Sequence, residues 1–145
     1  MTLEQLFTFC NTTALAAWLL LIAAPRWRWT GRLVRSGAAS LLFALVYAVL
    51  IVPGLTGAEG GFGTLAEVGK LFEHPTARLA GWVHYLAFDL FVGVWETEDA
   101  RRAGIRHALV VPSLILTFLA GPAGLLAYLV TRALAARQSP LEVRL

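Results

Sequence analysis

Charge is scarce in this chain. Charged residues make up 14% of its 145 residues, against roughly a quarter in an ordinary soluble domain, while hydrophobic residues reach 58%. That balance excludes a globular protein with a charged surface and points to an integral membrane protein. A single cysteine, Cys10, leaves no intrachain disulfide and no metal-thiolate cluster. The net charge of +3 includes no basic run dense enough to recruit nucleic acid. There is no Gly-rich phosphate loop and no ligand cluster at metal-binding spacing, so neither nucleotide, metal nor redox cofactor is expected.

Long uncharged runs are what the chain does have. Gln5 to Ala24, Ser36 to Ala58 and Ala108 to Thr131 carry no charge, and each is near the ~20 residues that a hydrocarbon layer of roughly 30 Å requires. With the apolar stretch Leu79 to Trp95, the expectation is an all-α, polytopic four-helix membrane bundle. It forms one domain over residues 1–145, with spans at about 5–24, 36–54, 76–96 and 108–134. No cleavable signal is expected, because the first run lacks a basic lead and ends at Pro25-Arg26-Trp27-Arg28. Arg26, Arg28, Arg32 and Arg35 follow the first span, and Arg101, Arg102 and Arg106 follow the third, so these two loops should face the cytoplasm. Both termini then fall outside, which leaves Arg132, Arg137 and Arg144 on the outer side.

The outer loop between spans two and three has structure of its own. Thr64 followed by Glu67 has capping-box spacing and predicts a short helix over about 65–72, with Leu65, Val68, Leu71 and Phe72 on its apolar face. His74-Pro75 reads as the cap and first turn of span three. Glu67 and Glu73 stand where they could close the outer mouth, although capping alone accounts for Glu67. In span four, Gly121-Pro122-Ala123-Gly124 should kink or break the helix against protein neighbours.

Asp89 is the residue most in need of explanation. An ionised Asp at a helix centre costs about 2.5–3.5 kcal/mol on insertion scales, so it is the first candidate for function; the alternative is a structural hydrogen bond to a neighbouring helix. Tyr85 lies four residues before it on nearly the same face, whereas His84, five residues before, lies about 140° away. That spacing argues against metal chelation but lets the two face a shared pocket from either side. Asn11, Thr12 and Thr13 in span one and Tyr47 in span two are expected to hydrogen-bond toward Asp89. Glu96 reads as a solvated helix end, and Trp18, Trp27, Trp29, Trp82 and Trp95 as interfacial belt residues.

The run Gly81-Trp82-Val83-His84-Tyr85-Leu86-Ala87-Phe88-Asp89-Leu90-Phe91-Val92-Gly93, with Leu116-Thr117-Phe118 and Gly121-Pro122-Ala123-Gly124-Leu125-Leu126, resembles the abscisic-acid-deficient-4-like family of small membrane proteins. The resemblance extends over about residues 5 to 135. Plant members are linked to neoxanthin synthesis in plastids; the Ala- and Arg-rich composition here looks bacterial, which places the chain in a bacterial inner membrane. The resemblance implies a carotenoid or other polyene lipid as partner, besides membrane lipids. It also implies isomerisation of an epoxide end group: a proton to the epoxide oxygen, C–O opening, and proton loss from the adjacent polyene carbon. Asp89 would donate and neutral His84 accept, with Tyr85 beside them. Trp82, Phe88, Phe91, Asn11, Tyr47, Phe118 and Tyr128 would line the polyene site, where ordinary packing is the plainer role for the aromatics. A second reading is a non-catalytic carotenoid- or lipid-binding accessory protein, associating with itself or with carotenoid enzymes. A third, small-solute or proton transport, has only the Gly121-Pro122 break in its favour.

Overall fold

The structure, a computed structural model, describes residues 1–138, so that Arg144 lies outside it. It is helical, with no strand among the described residues. Helix α1 (Leu3–Ala23) opens on a complete capping box, in which the Thr2 hydroxyl accepts from the Gln5 amide and the Gln5 side chain accepts from the Thr2 amide. A short turn, α2 (Arg28–Thr30), runs into a π-helical turn at Gly31–Arg35 and then into α3 (Ala38–Gly57). Next come α4 (Leu65–Glu73), α5 (Pro75–Arg102), α6 (His107–Ala120) and α7 (Pro122–Gln138).

Leu3–Ala23 and Arg28–Gly57 are long and apolar enough to cross a membrane by length and composition. The third expected span, α5, is the longest helix at 28 residues, but Arg78, His84, Asp89 and Glu96 interrupt its apolar character. It is the centre of the molecule. Parallel to it runs α1, tied by Asn11 to Trp82 near one end and by Trp18 against Gly93 further along. Antiparallel to it runs α3, where Gly54 lies so close to Ala77 that an added Cβ would stand 3.1 Å from its backbone. Small residues at such crossings let helix backbones approach.

The fourth expected span, 108–134, is not one helix. It is two helices of 14 and 17 residues, each shorter than the ~20 residues of a typical crossing. His107 Nε2 donates to the Ile22 carbonyl at 2.9 Å, which fixes the start of α6 beside the end of α1. From there α6 rises about 21 Å to Gly121 beside Asp89, roughly halfway up α5. At Gly121, φ is +38°, a conformation glycine adopts without the Cβ clash, and the chain reverses. Gly124 then packs on Thr117, and α7 descends until Tyr128 and Arg132 both reach Asp99 at the far end of α5. The pair is a half-depth hairpin that returns to the end it came from.

The short helix is where the spacing placed it, with one change in its cap. The Thr64 hydroxyl accepts from the Glu67 amide at 3.2 Å, but the Glu67 carboxylate accepts from Gly63, not Thr64. Leu71 and Phe72 pack on the bundle, Phe72 lying over Gly81, while Leu65 stays exposed. Pro75 starts α5 as expected, though the His74 side chain makes no capping bond. Trp18 also departs from expectation: it is fully buried between Gly93 and Phe118, not at an interface.

Candidate functional site

Because the α6–α7 hairpin stops at Asp89, it covers only half of the α5 face that it packs on. The other half opens into a groove of about 680 Å³ between the start of α1 and the first turns of α5. Its walls are mainly Leu3, Phe7, Phe72, Trp82 and Tyr85, with Glu4 and Arg78 at its polar margin. Arg78 is fixed in place by donating to the Phe72 and Glu73 carbonyls at 2.8 and 2.9 Å. Trp82 is fixed as well: its indole N–H donates to Asn11 Oδ1 at 2.8 Å, and its ring lies 6.0 Å from Phe7 and stacks at 5.7 Å on Tyr85. The result is a preformed apolar slot with few polar groups, the usual character of a small-molecule site.

The groove's lining stops at Tyr85, and Asp89 stands one helical turn further along α5 on the same face. The apex glycine covers it from the other side, since a Cβ on Gly121 would lie 2.7 Å from Asp89 Oδ1. Asp89 Oδ2 is buried with no hydrogen-bond partner among the described residues. Leaving such an oxygen unsatisfied costs about 1–3 kcal/mol, which a purely structural carboxylate would be placed to avoid.

The sequence-predicted site residues divide between the two sides of α5. Tyr85 and Trp82 line the groove, Asn11 bonds Trp82 and not Asp89, and Asp89 lies one turn beyond Tyr85 on the same face of α5. His84 does not join them. It lies exposed on the α3 side between the rings of Tyr47 at 5.4 Å and Phe88 at 4.6 Å, as a 140° separation on a straight helix requires. Phe88 and Phe91 point outward, 59% and 58% exposed, and line no part of the groove. Phe118 packs on Trp18. Tyr128 is fully buried, with its ring edge-on to Trp95 at 5.5 Å and its hydroxyl donating to Asp99 Oδ2 at 2.6 Å. It therefore holds the hairpin to α5 and does not line the groove.

Phe7, Phe72, Glu4 and Arg78 were not anticipated, because nothing local marks an apolar wall that two distant helix ends build together. Glu96 also departs from expectation. It is fully buried and accepts from the Thr117 hydroxyl at 2.9 Å, since α5 continues to Arg102 and α6 covers it. Like Asp89, it keeps one buried oxygen without a partner among the described residues.

Beyond the expected span, two carboxylates tie the far end together. Burial pushes Glu98 up, but hydrogen bonds from Arg35 and Arg101 outweigh it and hold the carboxyl below its usual range. The Tyr128 hydroxyl and Arg132 hold Asp99 low in the same way. A lowered folded-state value contributes stability above the unfolded value, and that contribution is lost as pH falls through the folded one. The contribution of these two carboxyls to the melting temperature should therefore be constant from pH 7 to about 5 and be lost below about 4. Asp99→Asn should melt lower at pH 7 and show a shallower acid slope; equal slopes for both proteins would show that Asp99 contributes nothing to the acid dependence.

Among families of known proteins, the model described as ABA DEFICIENT 4-like matches residues 5–128, which include every side chain of the groove except Leu3 and Glu4. No curated protein and no solved structure was found to match the chain.

Proposed function

The chain belongs to the ABA DEFICIENT 4-like family, and from that membership and the groove that ends beside Asp89 we propose that it is a membrane-embedded isomerase acting on the end group of a carotenoid. The observation that carries the reading is a carboxyl with an unsatisfied buried oxygen one helical turn beyond Tyr85, the last residue lining a preformed aromatic groove. Along α5 the groove runs from Pro75 to Tyr85, about 15 Å, which suits one end ring and the first part of a polyene whose remainder lies in lipid. Phe7 and Trp82 flank the ring, and Tyr85 presents its hydroxyl to the ring oxygen. Asp89 supplies the proton through Tyr85 as the epoxide C–O bond opens. The carboxylate so formed takes the proton released from the adjacent polyene carbon, so protons and electrons balance without a second reagent. His84 is not needed for this cycle. Membranes from cells supplied with an epoxidised carotenoid should contain the allenic alcohol only when the protein is expressed. Identical pigment profiles with and without the protein would remove the enzymatic reading and leave a pigment-binding role.

The hairpin supports a three-crossing topology. With α1, α3 and α5 as the crossings, Arg26, Arg28, Arg32, Arg35, Arg101, Arg102, Arg106 and Arg132 all lie at one end of the bundle. On the positive-inside rule we read that end as cytoplasmic and the N-terminus as outside, in a bacterial inner membrane. Arg132 then lies with the other arginines of that end. In a Cys10→Ala background, Thr2→Cys should react with an impermeant maleimide in intact cells, and Ala136→Cys only after the membrane is opened. Labelling of both from outside would mean that the last two helices cross.

A further inference from the structure

Two adjoining cavities lie at the cytoplasmic end of the bundle, and we propose that together they hold the phosphate headgroup of an anionic phospholipid, an inference that rests on the membrane placement above. One, of about 250 Å³, is bordered by Arg26, Arg35, Arg101, Arg106 and His107. The other, of about 470 Å³, is bordered by Ala23, Trp27, Ala108 and, again, Arg26, Arg106 and His107. Arg35 and Arg101 are neutralised by sharing Glu98. Arg26 and Arg106 face both cavities and have no acidic partner among the described residues. Two guanidinium groups thus share one carboxylate, and the two unpaired ones stand on opposite elements, after the end of α1 and at the start of α6. The His107 bond to the Ile22 carbonyl holds those elements at a fixed separation.

A guanidinium presents paired N–H groups that match phosphate oxygens, so two facing a common space favour a phosphate over a halide or a lone carboxylate. The lipid form of phosphate is favoured by what borders the second cavity. Ala23, Ala24 and Ala108 give it an apolar flank where α1 ends and α6 begins, and Trp27 stands at the level where indoles meet headgroups. A headgroup between Arg26 and Arg106 would lay its acyl chains down that flank. Basic pockets between helices on the cytoplasmic side are suited to anionic lipid.

The test titrates the detergent-purified full chain with phosphatidylglycerol, phosphatidylcholine or inorganic phosphate and counts retained adducts by native mass spectrometry. Phosphatidylglycerol should be retained at one molecule per chain and the other two should not. Arg26→Ala with Arg106→Ala should weaken that retention by about tenfold to thirtyfold, at about 1 kcal/mol per arginine near an anionic headgroup. Arg28→Ala with Arg32→Ala removes the same charge from side chains stacked on Trp29, at 5.3 and 5.4 Å, and should leave retention unchanged. Equal losses from the two double variants would reduce the effect to general surface charge. Equal retention of phosphatidylcholine, or displacement by inorganic phosphate alone, would overturn the proposal. None of these readouts involves pigment, so they stand apart from the fate of the carotenoid reading.

Discussion

Asp89→Asn should abolish carotenoid conversion by a factor of about 10² to 10⁴, the usual contribution of a positioned acid or base, while the purified protein keeps its melting temperature and its bound pigment. The substitution conserves volume at a site where one carboxyl oxygen already lacks a partner, so folding has little to lose. Tyr85→Phe should fall in the same direction with a smaller loss, because the ring still stacks on Trp82 and only the hydroxyl is gone. Trp82→Ala should do the opposite and release pigment, since it removes the groove's central wall and the bond to Asn11. The comparison that decides which side of α5 carries the chemistry is His84→Ala. A loss of turnover equal to that of Asp89→Asn would move the reaction to the face shared with Tyr47 and Phe88. Full activity in Asp89→Asn would exclude proton donation by this residue and favour a protein that binds pigment without converting it.

Gly124→Ala should be the most destabilising single-methyl change in the described chain. A Cβ there would lie 2.1 Å from both the amide nitrogen and the hydroxyl oxygen of Thr117, and the backbone nitrogen cannot swing away as a side-chain tip can. Overpacking usually costs about 1–3 kcal/mol, and a collision with backbone on an adjacent helix belongs at or above the top of that range. The displaced hydroxyl would also leave Glu96, whose hydrogen bond it supplies. Gly69→Ala in α4 is the matching control. Nothing lies within 4 Å of its added methyl, and alanine in a helix is favoured by about 0.5–1 kcal/mol, so it should be neutral or stabilising. Thermal unfolding of the two variants in detergent measures the difference. A wild-type melting temperature for Gly124→Ala would mean that α6 and α7 do not meet at Thr117, and the half-depth hairpin would fall with that contact.

Several parts of this arrangement were legible residue by residue. The Thr64 cap, the Pro75 start of α5 and the helix break at Gly121-Pro122 each depend on residues within a few positions of one another. The separation of His84 from Asp89 was legible too, because five residues at 100° each cannot share a helix face. What happens after Gly121 was not. A glycine followed by proline shows that a helix ends, and says nothing of where the chain goes next. Here the return is set by Tyr128 and Arg132 meeting Asp99, about thirty residues earlier, and by Thr117 meeting Glu96.

By itself, then, the sequence determined that the chain is helical and apolar, where its short outer helix is capped, and that Asp89 and Tyr85 share a face. Hydropathy, caps and helical periodicity act over one or two turns, and neighbours along the chain suffice to set them. Only the tertiary structure decided that the last apolar stretch doubles back, that Glu96 is enclosed, and that the outer half of α5 is left open as a groove. Those outcomes come from contacts between residues twenty to seventy positions apart, and the groove in particular exists because a helix that could have covered it turns away at Asp89.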